Sequence, residues 1–284
     1  MKKNLLIVVI LAVCSIEMVK GQTVADSLAI VSACWKIENF QKGIVYKYAS
    51  IPQLYQGPQS ISLIEIDPVA GLKVGVAVSD KMKETSKIAS EYNAIAAING
   101  SYFDMKRGNS VCFLKADRQI IDTTMQSEFK LRVTGAINVR KGKIKLIPWS
   151  KQIEKEYEGE TGMVLASGPL MLKDGQICDW NSCGAIFIRT KHPRSAVATT
   201  KEGKILLITV DGRFPEQAEG VNIPELAHLI RILGGEDALN LDGGGSTTLW
   251  LSGASDDGVV NYPCDNGRFD HAGERKVPNI LYIH

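Results

Sequence analysis

The chain has 284 residues, of which 45% are hydrophobic and 23% charged. That composition belongs to a globular protein able to bury a substantial core, and it excludes fibrous and disordered classes. The formal charge of +2 is accounted for by Lys2, Lys3 and Lys20 against Glu17, so the chain from Gln22 onward is neutral and no nucleic-acid surface is expected.

Residues 1–21 read as a signal peptide. Lysines open it, an apolar run extends from Leu5 to Val13, and compact residues precede Gln22. The run is too short to cross a bilayer, so no stable membrane span is expected. Lipid attachment at Cys14 competes with simple cleavage, but Val13 is larger than the small residue such a site usually takes. Export to the periplasm or the extracellular space follows. Cys178 and Cys183 could then close a small disulfide loop or stay unpaired in the core.

Residues 22–58 are expected to form an N-terminal segment packed on a domain spanning 59–284. "SISLIEIDP" and "KVGVAVS" read as strands, separated by turn residues and neighbouring in hairpin fashion. Thr85 and Ser86 offer caps for a helix through "KIASEY", and a strand at Ala94 to Ile98 follows. Further strands are expected at Arg132 to Asn138, Met163 to Ala166, Ala185 to Ile188, Ala196 to Thr199 and Lys204 to Val210, with "RKGKIK" as a solvated hairpin turn. Asn222 and Glu225 form a capping box for a helix with Leu226, Leu229, Ile230 and Leu233 on one face. Gly234 and Gly235 end that helix before the buried strand "ALNL". No linker divides the chain. The expected fold is α+β: one domain with a mixed, largely antiparallel sheet flanked by helices, and a site built from loops at strand ends.

Those loops hold the chemistry. In "ALNLDGGGSTTLW" three glycines follow a buried strand, which lets backbone N–H groups approach an anion. The stretch lacks the third glycine of a dinucleotide fingerprint, the lysine of a P-loop and the glycine that a nucleophile elbow needs after Ser246. Read alone, such a stretch is more often a tight turn than an active site. "NGSYFD" combines amide, acid and two aromatics, the usual materials for gripping a sugar, although an Asx-turn with core aromatics explains it too. Arg194 is either a surface charge or a fixed clamp for an anion. Asp211 and Gly212 suit a turn without any function.

Seven segments recur in order: "AAINGSYFD", "SGPLML", "HPRSAVA", "TVDGR", "IPELAHLIRILGGEDALNLDGGGSTTLW", "VVNYP" and "ERKVPNILYI". Together they resemble the phosphodiester glycosidase family, over roughly Gln59 to His284. The resemblance implies hydrolysis of a sugar joined through its anomeric carbon to a phosphodiester. It implies catalytic positions at Asp104, Arg194, Asp211 and Asp242. Substrate contacts are implied at Asn99, Gly100, Phe103, Ser167, Gly168, Arg213, Asn240, Gly243, Gly244, Gly245, Ser246, Thr247, Asn261 and Arg275. Ser101, Ser195 and Tyr262 depart from the family's usual glycine, threonine and arginine, and the last puts the aglycone preference in question.

The expected partner is a small-molecule or glycan substrate carrying a sugar-phosphate diester. Glycine-loop N–H groups with Arg194 suit the departing phosphate, and either Asp242 or Asp104 suits the base or nucleophile. No cofactor is required by the sequence, although converging acids and amides leave room for a divalent cation such as calcium. A non-catalytic binding module for phosphorylated glycans would keep the aromatics and Arg194 but would not need a water-facing aspartate. The leader makes a direct prediction: intact-mass measurement of the exported protein should give a chain beginning near Gln22, with no lipid on Cys14.

Overall fold

The structure, a computed structural model, describes residues 22–116, 119–157 and 162–284. The leader at 1–21 lies outside the described residues. Every strand pair among the described residues is antiparallel, and the strands form three sheets.

The largest sheet has eight strands. In spatial order they are Lys36–Gln41, Ile44–Leu54, Gly57–Ile66, Ile205–Val210, Arg194–Thr200, Gly235–Asn240, Leu170–Lys173 and Gln176–Ile177. Its central strands are apolar on both faces, as "ILLITV" shows. Leu206, Ile208 and Val210 face one core with the helix Ile223–Ile232, whereas Ile205 and Leu207 face a second core. That second core packs against a four-stranded sheet, through Val74, Ile98, Leu249 and Leu281, and a five-stranded sheet, through Leu114, Ile137 and Leu165. Strands covered on both sides have no wet face and carry no polar alternation, whereas the edge strand Lys36–Gln41 is exposed along most of its length. The expected α+β single domain is therefore built as helices, a broad sheet and two smaller sheets.

Three local expectations are corrected. Gly57–Ile66 and Val74–Lys83 do not form a hairpin: the first pairs with Ile44–Leu54 and Ile205–Val210, which occupy both its edges, and the second pairs with Val277–Ile283 in the four-stranded sheet. Ala185–Arg189 is a helix rather than a strand. Four apolar residues are too few for periodicity to decide between the two, and the helix turns Ile188 inward while leaving Ile186 exposed. The helix Thr85–Glu91 starts after Glu84 with no side-chain cap: Thr85 and Ser86 lie inside it, and the Ser86 hydroxyl donates to Glu274. The hairpin at "RKGKIK" and the strands beginning at Gly135, Met163, Arg194 and Ile205 occur as expected, within a few residues at their ends. Residues 22–58 supply the helix Val24–Val31 and two strands of the largest sheet. All five described cysteines are free thiols.

Register places the site. Arg194 lies opposite Val210, Ala196 opposite Asn240, and Leu170 opposite Leu239. Antiparallel pairing thus brings the start of Arg194–Thr200 beside the ends of Ile205–Val210 and Gly235–Asn240. Asp211 and Asp242 leave the large sheet at one end, where the Ser167-Gly168 turn brings the chain in from the five-stranded sheet.

The capping box at Asn222 is present as expected: its side chain accepts from the Glu225 N–H, and the Glu225 carboxylate accepts from the Asn222 N–H. Asn222→Ala should cost about 1 kcal/mol, read as a lower urea midpoint at unchanged slope.

Candidate active site

Four buried asparagines tie the strand ends together. Asn99 closes the strand Ala96–Asn99. Its Oδ1 accepts from the Ser195 hydroxyl at 2.6 Å and the Thr248 N–H at 3.1 Å, and its Nδ2 donates to the Asp242 carbonyl at 2.7 Å. Asn240 donates to the Tyr102 hydroxyl oxygen and the Gly168 carbonyl, while Ser167 Oγ donates to the Asn240 carbonyl. Asn261 accepts from the Leu249 N–H and donates to Asp211 and to the Thr247 carbonyl. Asn279 accepts from the Ser101 N–H, and the backbone of Gly100 lies against it so closely that a Cβ there would overlap the carboxamide.

The glycine loop emerges from this framework. Asp242 donates its N–H to the Gly100 carbonyl, and Gly244 donates to the Pro193 carbonyl. Gly244 has φ 62°, in the left-handed region. A Cβ on it would press on the Arg213 guanidinium, and one on Gly245 would overlap Arg275 and Asp265. The glycines therefore admit arginines against the backbone.

Asp242 sits half-buried at the start of this loop. Burial pushes its carboxyl above the usual carboxylate range, opposed by the Ser246 hydroxyl and the charges of Arg132 and Arg275. Arg194 also feels the Asp242 charge. Arg194 is 2% exposed; its Nε donates to the Val221 carbonyl and its Nη2 to the Phe187 and Thr190 carbonyls. Burial pulls its guanidinium down to about 10, which leaves it cationic at neutral pH. It forms no ion pair among the described residues. The geometry is that of a fixed internal cation. Burial, and then Arg194 and Arg213, hold His192 below the usual imidazole range.

Other positions lie at the rim or carry the framework. Arg213, at φ 69°, is exposed and donates to Cys264 Sγ, and Arg275 donates to Asp265. Ser246 and Thr247 are buried beneath the loop. Asp211 is fully buried: it accepts from Asn261 Nδ2 and the Tyr262 N–H on one oxygen and from Ser60 Oγ on the other. It exposes no surface to a ligand, in contrast to the catalytic position expected from the sequence. Phe103 pairs with Ser110 and packs against the cluster around Trp250 and Tyr282. Asp104 turns back on itself, accepting from the N–H groups of Lys106 and Arg107, which hold its carboxyl below the usual range. No hydrogen bond or ion pair joins it to the Asp242 group.

Sequence reasoning passed over one residue that belongs here, Arg132, and read another, Tyr102, as material for gripping a sugar. Arg132 lies 3.5 Å above the Tyr102 ring, pairs with Glu128 at 2.7 Å and acts on Asp242. Tyr102 donates its hydroxyl hydrogen to the Gly168 carbonyl at 2.6 Å. The aromatic ring of "NGSYFD" thus carries an arginine instead of lying open to a sugar. Arg132 follows a short helix and precedes a buried valine, with no spacing to mark it. Among the described residues no three His, Cys, Asp or Glu side chains gather to hold a metal ion.

Comparison with known proteins places this arrangement. The profile of the phosphodiester glycosidase family matches residues 92–284. An N-acetylglucosamine-1-phosphodiester alpha-N-acetylglucosaminidase of Mus musculus is 26% identical over 205 residues, covering 66% of this chain and 37% of the relative. The Homo sapiens protein of that name is 24% identical over 222 residues, covering 72% and 39%. The chain thus spans less than two fifths of either relative. The fold is shared with the zebrafish catalytic domain of that name, auto-inhibited by its pro-peptide. That match has a TM-score of 0.65 at 20% identity and covers 87% of this chain and 85% of that one.

The buried Asp211 makes stability depend on pH. Burial raises its carboxyl from 3.8 to about 6. A raised carboxyl favours the folded state fully below the unfolded value, and this contribution is lost as pH rises through the folded value. Two units correspond to about 3 kcal/mol. Asp211→Asn keeps a carbonyl for Asn261 and Tyr262, and its amide can donate to Ser60 Oγ. Urea melts from pH 4 to 7 should therefore show the variant gaining on the parent as pH rises, by up to about 3 kcal/mol.

Proposed function

We propose that this chain, which belongs to the phosphodiester glycosidase family, is an exported hydrolase that cleaves the bond between a sugar's anomeric carbon and a phosphodiester. The products are a free sugar and a phosphomonoester. One observation carries the reading: Asp242, a carboxylate with a raised pKa, opens a glycine loop and feels the charges of Arg132, Arg194 and Arg275. Export rests on the leader at residues 1–21, and the names of the mouse and human relatives make an N-acetylglucosamine 1-phosphodiester the first substrate to try.

In the proposed reaction a water oxygen bonds to the anomeric carbon as the carbon–oxygen bond to phosphate breaks. The bonding electrons leave with the phosphate oxygen, and the water proton passes to Asp242. A phosphate leaves as a stable anion and needs little protonation, so one carboxylate suffices and the remaining groups stabilise negative charge. The arginines suit that task. Arg194 is held on carbonyl oxygens, so its orientation is set before substrate arrives, and water has no need to reorganise around it. Between the two aspartates considered from sequence, the environment favours Asp242: its raised pKa brings it closer to neutral pH, where a base is most effective. Asp104 is already saturated by its own turn.

The test is a hydrolysis screen on glycosyl phosphodiesters, with the products identified by mass. Asp242→Asn should bind substrate as the parent does while turnover falls by about a hundredfold or more. Asp104→Asn should stay near the parent. For the parent, kcat/KM should fall with acid along a limb above the ordinary carboxylate range, because Asp242 works ionised and burial raises its pKa. Parental activity in a folded Asp242→Asn protein overturns the assignment.

A further inference from the structure

A second cavity, of about 600 Å³, lies between the first two strands and the loops around residues 251–271. Its size falls within the roughly 300–1,000 Å³ of ordinary small-molecule pockets. One wall follows from strand register. Lys36 lies opposite Tyr48 and Glu38 opposite Tyr46, so period-two alternation puts Lys36, Glu38, Phe40, Tyr46 and Tyr48 on one face. Core packing accounts for only part of that face: Phe40 and Tyr46 lean on the second core, whereas Lys36 and Glu38 are exposed on the edge strand. Gly253, Ala254 and Ser255 form the opposite wall, and Tyr262 and His271 close one end.

The cavity is separated from the Asp242 loop by the Asp211–Asn261 pair. The Tyr262 N–H donates to Asp211, the His271 ring bonds the Asn261 carbonyl at 2.6 Å, and Asn261 reaches Thr247 beneath the glycine loop. The two sites differ in charge. Arginines dominate the Asp242 loop, whereas Lys36 and Glu38 offset each other in the cavity. A neutral ligand with hydroxyls and apolar ring faces fits such a wall. Phe40 offers ring surface, as does Tyr48 beside its contacts with Lys36 at 5.8 Å and Tyr262 at 6.0 Å, and Ser255, Lys36 and Glu38 offer hydrogen-bonding groups. Tyr46 is already anchored, donating to the Val260 carbonyl at 2.7 Å. Tyr262 is packed on Phe269 at 4.1 Å and on His271 at 4.4 Å, so it forms a rigid end wall. Six of the fourteen residues lining the cavity come from residues 36–48, which lie before the 92–284 stretch matched by the family.

We propose that this cavity is a carbohydrate subsite that holds a neutral sugar unit of a glycan, apart from the bond-breaking centre. It extends the proposed function only in that this glycan would carry the phosphodiester; the site itself stands on its own residues.

The test uses the full mature chain and three neutral probes, mannobiose, N,N′-diacetylchitobiose and maltotriose, titrated by NMR. At least one should shift resonances of Tyr46, Tyr48 and Ser255. Tyr48→Ala and Phe40→Ala, each checked for a parental melt, should weaken that binding by about tenfold. Both variants should cleave a methyl-capped glycosyl phosphodiester like the parent and show a higher KM, at unchanged kcat, on the same phosphodiester carried by the probe that binds. No probe binding at millimolar concentration overturns the subsite. So do shifts confined to the Asp242 loop, or binding that survives in both variants. If no glycosyl phosphodiester is cleaved at all, the catalytic reading fails and the titration still decides the subsite.

Discussion

The carboxamide of Asn99 joins three pieces of chain that apolar packing alone would leave free to slide. It belongs to the four-stranded sheet, accepts from Ser195 in the eight-stranded sheet, and binds both ends of the Asp242–Thr248 loop. Packed hydrophobic faces specify which layers meet but give little direction along the contact, whereas a buried amide has fixed donor and acceptor vectors. Leaving one of those groups without its partner costs about 1–3 kcal/mol. Asn261 repeats the device with both its oxygen and its nitrogen, whereas Asn240 acts through its nitrogen and Asn279 through its oxygen. Four directional clamps around one loop make its position a property of the whole layered fold.

On that support the loop can bear an unfavourable concentration of charge. Arg132 and Arg275 have carboxylate partners in Glu128 and Asp265, but Arg194 rests on carbonyl dipoles. A guanidinium suits this because it is weakly hydrated and directs its N–H groups in a plane. The glycines belong to the same arrangement: side chains at Gly244 and Gly245 would displace the guanidinium groups of Arg213 and Arg275.

Much of this was legible in the sequence, for identifiable reasons. The helix at Ile223–Ile232 shows because capping box, apolar face and terminal glycine agree within one short window. The strands through Ile205–Val210 show because burial on both faces leaves an unbroken apolar run. The loops that meet were marked by polar residues at strand ends. Their separate jobs were not, since chemistry in the sequence does not say which groups face inward: Tyr102 and Asp211 have the composition of ligand contacts and the burial of core residues. Arg132 was invisible because it reaches the site through space, from the end of a six-residue helix. Asn279 was missed because its role depends on the close approach of Gly100, a contact across 179 positions of chain. The departures from the family pattern at Ser101 and Ser195 both became framework hydroxyls, bonded to Ala166 and Asn99.

The two buried ionisable groups of this framework respond differently to acid. Arg194, lowered to about 10, keeps its charge throughout the range in which proteins work, so the field around Asp242 is constant there. Asp211, at about 6, changes charge within that range. Its three partners present donors: the Asn261 amide, the Tyr262 N–H and the Ser60 hydroxyl. Of these only the hydroxyl can reverse and accept a proton-bearing carboxyl. Protonation therefore rearranges the Ser60 side while the Asn261 and Tyr262 bonds persist with less charge assistance. The positioning of the Thr247 backbone through Asn261 should weaken gradually with acid, even as the arginine field stays unchanged.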